Sequence, residues 1–138
     1  MTEMKYEKYV RKPPITEGGF GPFIGFMGQI GGENDDTALI RMRWVTTPCV
    51  MEPGNPHKHD FDQYFCFYGG NVEKVEDFGA EVEIWLGEEG EKHTFNTATV
   101  VHVPKGLVHC PLNIKRVDKP IIFMTIVFTS KYAQIQKK

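Results

Sequence analysis

The chain has 138 residues, 41% of them hydrophobic and 25% charged, a composition that suits an ordinary globular domain and excludes a disordered tract. Its 16 basic and 18 acidic residues leave a formal net charge of -2 with neither sign clustered. That balance argues against nucleic acid or an anionic membrane as partner, since both select a basic face.

In chain order, the opening stretch MTEMKYEKYV lacks the apolar segment of a secretory signal. Residues 1–30 read as an N-terminal arm or edge strand. Its Gly-rich portion from Gly18 to Gly28 has neither GxGxxG nor GxxxxGK spacing and so predicts no phosphate cradle. Alternating or β-branched runs predict strands at Phe23–Gln29, Thr37–Thr47, Gln63–Tyr68, Ala80–Leu86, Glu91–Asn96, Thr99–Val103, Leu107–Ile114 and Pro120–Phe128. Turn signals separate them, among them PGNP at 53–56, GEEG at 87–90 and PKG at 104–106. Tyr6–Lys12 and Ser130–Lys138 read as polar tails. The longest apolar run, Ile121 to Phe128 broken by Thr125, is far too short to cross a bilayer. Cys49, Cys66 and Cys110 form an odd set without CxxC spacing, which reads as free thiols in a reducing cytoplasm. The expectation is one all-β domain over residues 1–138, a sandwich or a barrel.

The histidines carry the chemistry. His57 and His59 flank Lys58 in PHKHDFDQ, and on an extended backbone side chains two apart share a face, with Cα atoms about 7 Å apart. Gln63 keeps the same parity four residues later. His109 follows the turn Pro104-Lys105-Gly106 and opens another strand, which a barrel can bring to the same interior.

These residues resemble the two motifs of the cupin superfamily, G(X)5HXH(X)3–4E(X)6G and G(X)5PXG(X)2H(X)3N. The first reads here as His57-Lys58-His59, three residues, Gln63, six residues, Gly70. The second reads as Ala98, five residues, Pro104-Lys105-Gly106, two residues, His109, three residues, Asn113. Residues 54–113 carry both. Gly54 departs in its spacing, Ala98 replaces a glycine, and Gln63 stands where the pattern has glutamate. The resemblance implies a single cupin barrel, a double-stranded β-helix or jelly roll. It also implies a divalent transition metal (Mn, Zn, Ni or Fe) held by His57, His59, Gln63 and His109. The HxH(X)3Q pattern is similar to that of Mn-dependent cupin hydroxynitrile lyases.

Three imidazoles and one amide form an all-neutral donor set that leaves positions open for substrate. Such a set favours Lewis-acid chemistry over the higher oxidation states of oxygen activation. The expected activity is therefore that of a lyase, isomerase or hydrolase on a small oxygenated molecule. The alternatives are a metal-dependent dioxygenase and a non-catalytic small-molecule-binding module. Phe61, Phe65 and Phe67 share parity with Gln63 and are expected to line an apolar pocket. Arg41 and Arg43 share one strand face opposite Ile40, Met42 and Trp44, and would clamp a substrate carboxylate if that face looks inward. Asp60 and Asp62 lie on the opposite parity unless the chain bulges there, so a metal-bound hydroxide or a histidine near the mouth such as His102 is the candidate general base. Cys110 follows His109 and is expected to face away from it, as do Tyr64 and Tyr68 from Gln63. Single-barrel cupins commonly pair through an N-terminal strand, so a homodimer is expected.

Overall fold

The computed structural model describes residues 4–10, 12, 15–18, 21–26, 38–51, 54–129 and 135–136. After a 3-10 turn at Glu7–Tyr9 the chain runs through β1 (Ile15–Gly18), β2 (Gly21–Phe26), β3 (Leu39–Val45), β4 (Cys49–Val50), β5 (His57–Lys58) and β6 (Gln63–Gly69). It continues through β7 (Ala80–Leu86), β8 (Glu91–Phe95), β9 (Thr99–Val103), β10 (His109–Val117), β11 (Ile121–Val127) and β12 (Ile135–Gln136). The outer parts of the predicted strands Phe23–Gln29 and Thr37–Thr47, most of the C-terminal tail, and Gly19, Phe20 and Gly28 of the Gly-rich stretch lie outside the described residues.

Two six-stranded antiparallel sheets face each other. One has the order β1-β2-β3-β11-β6-β9, and the other β12-β5-β10-β7-β8 with β4 also paired to β10. Neighbours such as β3 and β11, far apart in sequence, make this a jelly roll and not a meander. β1 pairs with β2 at the edge of the first sheet, and β2 with β3, with Phe23 opposite Arg43 and Phe26 opposite Ile40. Gly21 is obligatory there: at φ 142° a Cβ would meet the Trp44 carbonyl oxygen at 1.7 Å, a backbone region only glycine adopts.

Period-two alternation fixes which side of each strand meets the other sheet. On β11, Ile121, Phe123, Thr125 and Val127 are buried while the residues between them are half-buried. Ala80, Val82 and Ile84 of β7 face them with Leu112 and Ile114 of β10. Phe67, fully buried, stacks on Phe123 with centroids 4.8 Å apart and meets Phe95 edge to face at 5.1 Å. This aromatic layer belongs to the core cluster, and its Phe123 reaches the cavity that holds the polar groups described next. Among the described residues no helix is long and apolar enough to cross a membrane.

Candidate metal centre

The two motif segments meet through backbone pairing. His57 lies directly opposite His109 on β10, and the Gly106 N–H donates to the His59 carbonyl at 2.9 Å. The Pro104-Lys105-Gly106 turn is further anchored by Asp62, whose Oδ1 accepts from the Lys105 N–H at 2.7 Å. Gly106 supplies the left-handed φ of 84° the turn needs. Asp62 is thus a positioning residue for the loop before His109, a role sequence parity alone does not reveal.

Three imidazoles converge as a result. Ring centroids are 4.9 Å apart for His57 and His59, 4.5 Å for His57 and His109, and 5.1 Å for His59 and His109. All three histidines are at least 98% buried, and Gln63 is 99% buried beside them. Nδ1 of His57 donates to the Asn55 carbonyl at 2.6 Å, and Nδ1 of His109 to the Leu107 carbonyl at 2.9 Å. Those bonds fix the tautomer, so each Nε2 keeps its lone pair for a ligand. Burial pulls His109 down to about 4, against the Leu107 carbonyl, with His57 and His59 adding to the fall; at pH 7 the ring is neutral. Phe61 stacks on His59 at 4.7 Å and 15°, holding that ring's plane.

Gln63 sits on β6 with its Nε2 3.5 Å from Nε2 of His109, while its buried Oε1 has no hydrogen-bond partner. An orphaned buried carbonyl costs about 1–3 kcal/mol. A cation among the imidazoles relieves that cost, because turning the amide over exchanges its N and O without a change of shape. The donor set therefore fits a divalent transition metal: the His57 and His109 imidazoles, each with Nδ1 engaged by a backbone carbonyl, and an amide oxygen lacking a partner.

The remaining predicted residues divide by face. Arg41 and Arg43 look inward. Cross-strand register sets Arg41 opposite Thr125 and Arg43 opposite Phe123, and all four line a cavity of about 50 Å³ with His57, Gln63 and His109. Arg43 Nη1 also rests 3.8 Å from Met51 Sδ. Burial, together with the Arg41 charge, pulls the Arg43 guanidinium below its usual range. Among the described residues, no aspartate or glutamate lines this cavity. Phe65 lines it too, whereas Phe67 lies one layer deeper in the core and Phe61 packs outside, against His59 and the Leu39–Val127 pair. His102 does not reach the cavity. It pairs with Tyr64 across β6 and β9 and stacks on that ring at 4.6 Å, on the outer face, half exposed. Its register partner is Tyr64, so it stands on the face of β9 away from the cavity lining.

Cys110 corrects the alternation argument. It is buried, and its Sγ lies within 4.8 Å of the ligand nitrogens of His57 and His109. Two features turn it inward: a left-handed φ of 86°, and a register shift against β7 between His109 and Leu112. Burial pushes its thiol up to about 12.

No protein-family profile matches the chain, and no curated protein matches it by sequence. Solved structures do match in shape. The capsular polysaccharide assembling protein CapF from Staphylococcus aureus superposes with a TM-score of 0.57 at 14% identity, over 91% of this chain and 31% of CapF. The polyketide cyclase RemF from Streptomyces resistomycificus gives 0.56 at 10% identity, over 100% of this chain and 86% of RemF. An oxalate decarboxylase from Lactobacillus farciminis gives 0.55 at 13% identity, over 90% and 33%. The chain has the cupin fold. It spans about a third of the length of CapF and of the decarboxylase, and most of RemF. At these identities the likeness speaks for the cupin architecture alone, so the chemistry has to come from the site.

Proposed function

We propose that this cupin is a metal-dependent enzyme, a lyase or isomerase, that acts on a small oxygenated anion. The observation that carries the reading is a cavity lined by the His57 and His109 imidazoles, the Gln63 amide with its orphaned oxygen and the Arg41 and Arg43 guanidinium groups, with no carboxylate among the described lining residues. His57, His59, Gln63 and His109 would hold the cation, which when bound supplies Lewis-acid polarisation of a substrate carbonyl or hydroxyl. Arg41 and Arg43 bind the anionic end of the substrate and fix its orientation, since a guanidinium fork pairs two oxygens at once. Phe65, Phe123 and Leu112 exclude water, which strengthens every charge interaction inside the cavity. Charge that develops on substrate oxygen is met by these fixed positive groups without reorganisation.

The chemistry named for two proteins of this fold, cyclisation of polyketides and decarboxylation of oxalate, also involves oxygen-rich substrates. The cavity volume suits a molecule of a few heavy atoms. A cytoplasmic setting and a homodimer complete the reading.

The test is metal content by mass spectrometry on untagged protein beside a His57→Ala/His59→Ala variant. Near-stoichiometric Mn, Zn, Ni or Fe in the wild type and none in the folded variant is the expected result. A folded wild type that is metal-free and cannot be reloaded would overturn the enzymatic reading in favour of a non-catalytic binding module.

A further inference from the structure

Resting on that reading, we propose that Cys110 is itself a ligand to the cation, its sulfur joining the nitrogen donors of His57 and His109. Three observations carry it. First, Sγ of Cys110 and the ring nitrogens of His57 and His109 lie within 4.8 Å of one another, all buried. Tetrahedral ligation at about 2.0–2.1 Å for nitrogen and about 2.3 Å for sulfur sets donors roughly 3.5 Å apart, so the three need only draw together slightly. Second, the buried Gln63 Oε1, without a hydrogen-bond partner, belongs to the same cavity, so a cation there satisfies two otherwise unused donors at once. Third, among the described residues Cys110 is the one non-glycine held at positive φ. A left-handed side-chain-bearing residue costs about 1–2 kcal/mol and tends to persist where function requires it. Here that conformation is what aims Sγ at the imidazoles instead of away from them.

On ligation the thiol gives its proton to solvent, and the thiolate forms the sulfur–metal bond; no electron is transferred. A thiolate is a soft donor that favours zinc over manganese, so the set His57, His109, Cys110 and Gln63 or His59 makes a zinc-type Lewis-acid centre.

The experiment is cobalt(II) substitution of the whole chain, with the Cys110→Ser and Cys110→Gly variants alongside. The glycine variant accepts φ 86° without strain and so keeps the fold if serine does not. The proposal expects an intense near-ultraviolet sulfur-to-cobalt charge-transfer band in the wild type, lost in both Cys110 variants and retained in Cys49→Ala and Cys66→Ala. It further expects zinc affinity to fall by more than ~100-fold in Cys110→Gly, beyond the 10–100-fold typical of losing an outer partner. Stoichiometric cobalt with no such band, and with unchanged zinc affinity in the variants, would overturn the cysteine proposal while leaving the metal enzyme standing. Failure of the wild type to bind either cation would overturn both.

Discussion

His57 and His109 face each other as a register pair of β5 and β10, rings edge to face with centroids 4.5 Å apart. Each donates Nδ1 to the carbonyl of the residue two before it. The backbone that brings the rings together therefore also sets their tautomers. A preorganised pair of this kind binds a cation without paying to order its side chains.

Added zinc or manganese should accordingly stabilise the protein by mass action. At a free metal concentration one hundred times Kd the gain is about 2.7 kcal/mol, or roughly 10 °C in Tm for a domain of this size. His57→Ala and His109→Ala should each show no metal-dependent shift. A thermal melt with and without metal decides it, and an equal shift in the variants would place the cation elsewhere.

The arginine pair makes a separate prediction. Arg41→Gln and Arg43→Gln should each weaken binding of a small dicarboxylate probe such as oxalate by about 10- to 100-fold, as expected for hydrogen bonds to a charged group worth about 1.5–3 kcal/mol. Zinc affinity should not fall, because removing a nearby cation favours a bound one. Calorimetric titration of the metal-loaded protein with the probe measures both; unchanged probe affinity would take the arginines out of the substrate site.

Where the sequence was legible, one side chain period decided the matter. Ala80–Leu86 forms a strand at the predicted bounds because Ala80, Val82 and Ile84 alternate with Glu81 and Glu83, and Thr99–Val103 because it is a β-branched run between turns. The proximity of His57, His59, Gln63 and His109 followed from the resemblance to the two cupin motifs; strand parity by itself related only His57, His59 and Gln63. What escaped were features that only pairing creates. β4, β5 and β12 are two residues each, too short for any periodic signal. On β3 alternation separates Arg41 and Arg43 from Ile40, Met42 and Trp44, but only the register with β11 reveals that the charged face points inward. Cys110 escaped because a left-handed residue and a register shift break the period that the prediction depended on.

His102 gives a negative prediction of the same kind. Its ring lies against Tyr64 on the outer face, with Nε2 4.0 Å from Asp62 Oδ2. His102→Ala should leave zinc and dicarboxylate affinity within about twofold of wild type, and stability within about 0.5 kcal/mol, as is usual for surface substitutions. Asp62→Ala, by contrast, removes the acceptor for the Lys105 N–H and loosens the loop leading to His109. It should cost about 1 kcal/mol of stability and weaken zinc binding, both readable by denaturant titration. If the histidine variant lost metal and the aspartate variant did not, the loop argument would fail.

The core should respond as a close-packed aromatic layer. Phe67→Ala removes a fully buried ring that stacks on Phe123, and deletions of this kind cost about 3–5 kcal/mol. The substitution should bring the protein close to unfolding at 25 °C while zinc still raises its Tm, because Phe67 itself is not among the residues lining the cavity. Phe67→Leu, which refills most of the volume, should recover more than half of the loss.

Acid should weaken the metal-stripped protein through His109. Its pKa falls from 6.5 to about 4 on folding, so between those values the unfolded chain binds more protons than the folded one. Stability is then fully present above pH 6.5, falls as pH drops through the window, and levels off below about 4. The full shift corresponds to about 3 kcal/mol, at up to about 1.4 kcal/mol per pH unit. Urea titrations of stripped wild type at pH 7.5, 5.5 and 4.5 should follow that slope, and His109→Gln, which cannot titrate there, should be flatter. Equal slopes in the two proteins would mean that His109 is not held neutral by its burial.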